Sequence, residues 1–564
     1  MTDLVFVIEA PFIEPGMPYP YLWNAVDLIQ KNGGEAIPLD LNIKLYRSMI
    51  EDNSIIDNQA LFIDCLNSAS FGNCSGITGS SDHHSRDLLR DYPSYVRSNV
   101  LPFFNGKTVN LKHHIYVRNM EMINALLDYR IKKIDKKSSL WVDRFSTSVD
   151  IRFSESVFDG IKNDSGGLFD VYERYFSDLK LQSSSSKILI LIREEEQLYP
   201  GLALANWLRN RTNIHITLHG RFLTQILTMN IPKELFQVCN SVILHPLEFS
   251  IKDWLNKKDH QFILNEHPPE KIKSFDSSLA KPSGEQACIL DSFCCSDYLT
   301  PVPVIGAVAT TRCYYGKCAF CNLANSSHYP YQQCSIANFR QYLATWNNEL
   351  PGLHVQFLDH ALPYHLLKNA KVSSNNINVR WAAQFRFENA FLEEDVFKKL
   401  YDLGCRALSW GVESGSEKIL KRMNKGGVTN NKCRSKILRD ASKAGIVNFL
   451  FILTGFSNES EQDFRETLNF LADNMDFIHG IESHAYQPII GTAEYKRLIT
   501  KKSLVKEGDW NPRWLLNNSI QSSEYNQRSD FVNNSFGSLS KMHSTNDLLE
   551  GHLAFNYLFE RHRQ

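Results

Sequence analysis

Short apolar runs bounded by glycines and polar residues recur along the chain, and between them apolar residues return every three or four positions. Leu4 to Ile8 reads as a buried strand, Trp23 to Lys31 as a helix stopped by Gly33-Gly34, and Ala36 to Leu39 as a second strand closed by Asp40-Leu-Asn42. The alternation resumes at Lys187 to Ile192, where Gln197-Leu-Tyr-Pro-Gly201 opens a helix running to about Arg209. Strands at Ile214 to Leu218 and Ser241 to Leu244 follow, with Gly220 after the first. Strands alternating with helices predict an α/β fold with a doubly wound, Rossmann-like parallel sheet over 1–50 and 185–265. Residues 51–184 interrupt it as an inserted, mostly helical region that is Ser/Gly-rich from Ser68 to Ser85, and Ser183 to Ser186 form a polar joint back into the sheet.

A second alternation follows a linker at 266–297. Strands are expected at Val304 to Ala309, His354 to Leu358, Val379 to Phe385, Arg406 to Val412, Val447 to Gly455 and Phe477 to Tyr486. Helices lie between them, among them Glu393 to Leu403, stopped by Gly404, and Ser460 to Asp473, with Ser460 as its N-cap. Six such repeats predict a partial (β/α)6 barrel of the TIM type over 298–490, with chemistry at the strand C-termini. The extension 491–564 is Asn/Ser-rich through Ser540 and apolar from His552 to Phe559, where a docking helix is expected.

With 564 residues, 43% of them hydrophobic, the chain sustains several buried cores. Sixty-one basic and 62 acidic residues leave a net charge of −1, which gives no global field for nucleic acid or an anionic membrane. The basic run Arg130 to Lys137 reads as a solvated helix face. Leu4 to Ile8 is too short for a signal peptide or a membrane span, so a cytoplasmic location is expected. Twelve cysteines, three of them clustered, suit a reducing compartment.

Those three, Cys313, Cys318 and Cys321, lie in Arg-Cys-Tyr-Tyr-Gly-Lys-Cys-Ala-Phe-Cys, a C-x4-C-x2-C loop directly after the first barrel strand. Three thiolates at this spacing suit three irons of a four-iron cluster, leaving the fourth open to an outside ligand. Zinc is the rival, and needs a fourth ligand from among Cys294, Cys295, His328 and Cys334. Spacing alone leaves both open, and persistent disulfides do not fit the compartment.

Three further motifs end later strands: Phe357-Leu-Asp-His-Ala-Leu-Pro363, Trp410-Gly-Val-Glu-Ser-Gly-Ser416 and Leu453-Thr-Gly-Phe-Ser-Asn-Glu459. With the cysteine loop, and in this order over 298–490, they resemble the radical S-adenosylmethionine superfamily. The extra residue in the loop and the domain upstream resemble the branch that carries an N-terminal cobalamin-binding domain. The resemblance implies that Cys313, Cys318 and Cys321 bind a 4Fe-4S cluster whose open iron is chelated by S-adenosylmethionine. It also implies that Phe320 and Thr454 lie near the adenine, that Glu413 and Ser414 contact the ribose or methionine end, and that Asp359 holds the methionine amino group. His360 stands where relatives carry a second acid. Arg386 is expected to pair with the cofactor carboxylate, or with Glu388 on the surface.

Cobalamin is expected to sit against Gln197 and the Gly220 loop without a histidine on cobalt, since no Asp-x-His-x-x-Gly is present and His215 and His219 read as structural. The implied reaction is C-methylation of an unactivated carbon in a peptide or small natural product, fed by an electron donor such as flavodoxin or ferredoxin. Two rivals stand beside it: a rearrangement, epimerisation or cyclisation without functional cobalamin, and a non-catalytic, metal-stabilised peptide-binding module. The residue that handles the substrate's proton or radical is unassigned.

Overall fold

The computed structural model describes residues 4–69, 91–104, 113–181, 186–256, 262–264, 297–300, 304–321, 331–336, 354–368, 379–510 and 513–537, apart from positions 14, 143, 228–229, 245–246, 332 and 517–518. The expected loops at 70–85 and 183–185, most of the linker, and the helix at 552–559 lie outside these residues, as do Cys294, Cys295 and His328.

Two six-stranded sheets carry the described chain, and every pairing within them is parallel. The first comprises β1 (Leu4–Glu9), β2 (Glu35–Asp40), β3 (Ser186–Leu191), β4 (His215–His219), β5 (Ser241–Ile243) and β6 (Phe262–Leu264), in the order β2-β1-β3-β4-β5-β6. The order reverses between β1 and β3, which creates the crevice at which such sheets bind ligands. Helix α1 (Pro20–Lys31) buries Leu22, Ala25, Val26 and Ile29 along one side. Asp40 caps α2 (Leu41–Glu51) by accepting from the Ile43 amide, and the Asn42 amide group exchanges two 3.0 Å hydrogen bonds with the Ile13 backbone. The loop leaving β1 is thereby fixed.

The described part of 51–184 is mostly helical, chiefly through Gln59–Ala69, His113–Ile134, Ser154–Lys162 and Leu168–Phe176, with one short antiparallel strand pair. In the basic run Lys133, Lys136 and Lys137 are exposed as expected, whereas Arg130 is buried and donates to the carbonyls of Asp52 and Ser54. α3 (Leu198–Arg211) follows β3.

The second sheet runs β7 (Val304–Ala307), β8 (His354–Phe357), β9 (Arg380–Phe385), β10 (Cys405–Glu413), β11 (Val447–Thr454) and β12 (Gly480–Ala485), paired in sequence order as a partial barrel. Trp381, Phe385, Phe391 and Trp410 pack between its strands and the flanking helices, and the indole nitrogens of both tryptophans are satisfied, by Leu403 O and Asn448 Oδ1. The helix expected from Glu393 starts only at Val396, because Asp395 adopts a left-handed φ of 59°. The strand expected from Phe477 starts at Gly480, after a 3-10 turn over Met475–Phe477. α4 (Glu417–Arg422), α5 (Asn431–Lys443) and α6 (Glu461–Asp473) follow β10 and β11, and Ser460 and Asp463 cap α6 reciprocally.

β12 is the barrel's open edge, and it is covered. From α7 (Ser519–Val532) and the turn after it, Ser529 Oγ and Asn533 Nδ2 donate to Ser483 O, while Asn533 Oδ1 accepts from Ser483 N. The two sheets also meet directly: Gly306 of β7 lies against Met17 and Pro20, and Leu299 N donates to Pro15 O at 2.8 Å. Among the described residues no helix is long and apolar enough to cross a membrane.

Candidate functional site

The cysteine loop leaves β7 at its C-terminal end and is braced from two sides. Asp359, just past β8, is buried and accepts from Ala309 N at 2.9 Å and Thr310 Oγ1 at 2.5 Å, which fixes the stem of the loop. Burial pushes its carboxyl up to about 6, against the pull of those hydrogen bonds. On the other side, residues 423–427 hold the loop itself: Ala319 N donates to Met423 O, Tyr315 Oη to Asn424 O, and Asn424 Nδ2 to Lys317 O, all between 2.7 and 2.8 Å. This contact requires left-handed backbone at Asn424, Gly426 and Gly427. A Cβ on Gly426 would stand 2.4 Å from Tyr315 Oη, and one on Gly427 2.2 Å from Phe387 O.

Arg386 follows β9 and reaches this loop. It is buried, donates from Nη1 to Cys318 Sγ at 3.5 Å and from Nη2 to Lys425 O, and lies 3.8 Å over the Tyr315 ring. The expected pairing with Glu388 is not made; Glu388 instead accepts the Tyr314 hydroxyl. At the end of β10 the pairing register shifts, and Glu413 takes a left-handed φ of 60°, a strained conformation for a residue with a side chain. Its carboxylate pairs with Lys425, whose ammonium lies 5.8 Å from the centre of the Phe320 ring. Phe320 packs beside Phe456, which in turn stacks edge-on with Tyr486. Cys313, Cys318, Phe320, Arg386 and Glu413 are thus gathered at one end of the barrel.

Two sequence candidates turn away from it. Ser414 is fully buried, with its hydroxyl 3.2 Å from Thr467 Oγ1 on α6 while accepting from Ser416 N, so it anchors a helix and is not left open to a ligand. Thr454 is buried too, and its hydroxyl donates to the carbonyl of Tyr525 at 3.2 Å, with that of His484 at 3.4 Å as the alternative acceptor. A Cβ on the next residue, Gly455, would strike the Tyr525 ring at 2.1 Å, so the space left by that glycine is filled by α7.

In the first sheet, Gln197, expected beside cobalamin, is bonded within the protein. Its Nε2 donates to Glu9 Oε1 and Ala10 O, and its Oε1 accepts from the amides of Arg193 and Glu194, which saturates a fully buried amide group. Gly220 is required by backbone packing: its Cβ would lie 1.8 Å from Ile192 O. His215 contacts Ser241 Oγ and His219 the carbonyl of Ile243, both within the sheet.

The crevice expected at the strand reversal of the first sheet faces the C-terminal end of the second, and basic and aromatic side chains border it. Arg193, paired with Glu9, stacks on Tyr19 and Tyr21, while Arg221 donates to His360 Nε2 at 2.8 Å across the two domains. Tyr21 and His360 keep accessible surface although protein surrounds them, as side chains lining a crevice do. Desolvation in this recess, with the guanidinium second, pushes the His360 imidazole down to about 4. The ring is therefore neutral, and since Nε2 accepts, its proton is on Nδ1.

Lys425, Tyr314, Tyr315, Tyr21 and Arg221 were not singled out in the sequence. The signal for Lys425 was its own context, Asn424-Lys-Gly-Gly427, a run of residues tolerant of left-handed backbone.

The donor set fits an iron-sulfur cluster better than zinc. Tetrahedral zinc needs a fourth protein ligand beside the three thiolates. Cys334, the one described candidate for a fourth zinc ligand, is buried with its thiol pushed up to about 12. A four-iron cube takes one thiolate per iron and spreads its ligands.

Residues 308–471 match the family described as the Radical SAM superfamily. Over 220 residues the chain is 23% identical to an uncharacterized methyltransferase of Pyrococcus horikoshii, covering 38% of this chain and 46% of that protein. Over 139 residues it is 32% identical to the bacteriochlorophyllide d C-8(2)-methyltransferase of Chlorobaculum tepidum, covering 24% and 30%. The chain therefore spans less than half the length of these curated relatives. Its fold is similar to that of the radical S-adenosylmethionine methyltransferase TsrM from Kitasatospora setae, solved with cobalamin and a [4Fe-4S] cluster, at TM-score 0.50 and 11% identity over 94% of this chain and 85% of that one. It is equally similar to the cobalamin-dependent S-adenosylmethionine radical enzyme OxsB, at TM-score 0.50 and 11% identity over 95% and 67%. The match to the Radical SAM superfamily thus falls on the barrel, from the stem of the cysteine loop to α6.

Proposed function

We propose that the protein is a cobalamin-dependent radical S-adenosylmethionine methyltransferase acting on an unactivated carbon of a peptide or small natural product, with a flavodoxin- or ferredoxin-like electron donor. The observation that carries this reading is the meeting of two C-terminal sheet edges: the braced cysteine loop on one side, and on the other the recess lined by Tyr21, Arg221 and His360. Cys313, Cys318 and Cys321 would hold the cluster, and the recess residues would hold cobalamin. When bound, these groups supply one-electron cleavage of S-adenosylmethionine and carriage of a methyl group.

The chain's own residues then orient and shield. Arg386 uses two of its five N–H groups on Cys318 and Lys425, leaving enough to bind a carboxylate bidentately. Its Nε is buried without a partner, as expected of a group awaiting one. Phe320, Phe456 and Tyr486 form an apolar wall that excludes water from the loop. Glu413, held by Lys425, presents a fixed carboxylate at the rim.

The test is anaerobic reconstitution with iron, sulfide, cobalamin and methyl-labelled S-adenosylmethionine, comparing the native chain with Cys318→Ala. Four irons per chain, deoxyadenosine formation under reduction and label on cobalamin support the reading, and the variant is expected to lose deoxyadenosine formation. Zinc in place of iron sinks it. Deoxyadenosine formed without any cobalamin absorbance favours a rearrangement.

A further inference from the structure

We propose that Arg386 sets the reduction potential of the cluster held by Cys313, Cys318 and Cys321, and so decides which donors can reduce it; this rests on the cluster assignment above. The guanidinium is a buried cation with no carboxylate partner among the described residues. Glu388 is taken by Tyr314 and Glu413 by Lys425. An unpaired buried charge is costly unless something of opposite sign lies beside it. What lies beside it is Cys318 Sγ, at 3.5 Å.

The arrangement is built to stay in place. Tyr315, inside the cysteine loop, stacks under the guanidinium at 3.8 Å, and the carbonyl of Lys425 holds its other arm. Tyr315 is itself tied to Asn424 O, next to the Lys425 carbonyl that Arg386 grips. Gly426, left-handed at φ 62°, lets that loop approach the tyrosine. The contact therefore survives small movements of the loop.

The sign follows from charge. A four-iron core of charge two-plus with three thiolates carries one net negative charge, and reduction by one electron makes it two. No bond forms or breaks; the electron comes from a low-potential donor or mediator. A fixed cation at hydrogen-bond distance favours the more negative state, and N–H donation to a ligating sulfur acts the same way. Arg386 thus raises the potential and eases electron entry, as a positioning and tuning residue.

The experiment is redox titration of the reconstituted protein, followed by electron paramagnetic resonance in the absence of S-adenosylmethionine, so that lost binding of the co-substrate has no influence. In Arg386→Gln the reduced-to-oxidised ratio at a fixed potential is expected to fall at least tenfold, a midpoint lower by about 59 mV for a one-electron couple. An unchanged midpoint at full iron and sulfide content overturns the proposal. Should the glutamine variant not retain iron, Arg386→Lys and Tyr315→Leu decide, since both keep a positive charge but release it from Cys318. A lower midpoint in both supports the proposal, and a midpoint equal to the native one in either refutes it. Failure of the cluster assignment would be seen separately, as native protein without four irons per chain.

Discussion

Replacing Asp359 by Asn isolates the brace beneath the cysteine loop. The carboxylate is 2% exposed and accepts from Ala309 N and Thr310 Oγ1, and burial holds its pKa at about 6 against an ordinary 3.8. An acid that binds its proton more tightly folded than unfolded contributes stability fully below the unfolded value, and loses it as pH rises through the folded one. Protonated Asp359 thus favours the fold below about pH 4, by about 3 kcal/mol for a shift of roughly two units, and contributes nothing of this above about pH 7. Asparagine does not titrate, and its Nδ2 would face the Ala309 N–H, donor to donor, at a roughly constant cost of about 1–3 kcal/mol. Urea unfolding of both proteins at about pH 4.5 and 7.5 cancels the other titrations, including that of Asp40, whose pKa is likewise raised to about 6. The native advantage over the variant is expected to be larger at the lower pH by about 2 kcal/mol. A difference independent of pH, or larger at pH 7.5, would refute the account of Asp359 as a desolvated brace.

Three further outcomes follow from the same geometry. Lys425→Met leaves the half-buried Glu413 carboxylate without its partner and should cost about 3 kcal/mol or more, most of it recovered in the double variant with Glu413→Gln; purely additive single effects in denaturant titrations would show that the pair is not coupled. Gly415→Ala places a Cβ 2.4 Å from Glu466 O and 2.5 Å from Thr467 Cα, backbone atoms that cannot yield, so soluble protein with a native melting temperature would contradict the packing of α6 on β10. Asn533→Ala removes two of the three side-chain hydrogen bonds to Ser483's backbone at the barrel edge, leaving that from Ser529, about 2 kcal/mol at roughly 1 per hydrogen bond, and should speed amide exchange across β12.

The repeating elements of this chain were legible because each strand is a short apolar run and each helix an apolar stripe, and both periods survive in a single sequence. The cysteine loop was legible because three thiolates at that spacing have few structural uses. What escaped lies where those periods stop. A surface pair of Arg386 with Glu388 was one expectation, but β9 ends at Phe385 and the two side chains take different partners, Cys318 with Lys425 and Tyr314. Likewise β10 ends at Glu413 with left-handed backbone, which sends the glutamate to Lys425 and turns Ser414 inward to Thr467. Both contacts are non-local, and nothing in the local pattern announces them.

The same boundary explains which resemblances transfer to this chain and which do not. A motif fixes where the backbone goes, because glycines and strand ends are local; it does not fix where a side chain points, because that depends on what arrives from elsewhere. Gly455 keeps its left-handed turn, yet α7 delivers Tyr525 into the space it leaves. Gln197 keeps its place at the start of α3, yet Glu9, Ala10, Arg193 and Glu194 use all of its hydrogen-bonding capacity. The residues that the fold itself leaves unsatisfied or strained are Arg386 with its orphaned Nε, Glu413 in its left-handed turn, and His360 held neutral beside Arg221. Variants at those three positions should alter cofactor binding or potential, whereas Gln197→Leu should act on stability alone.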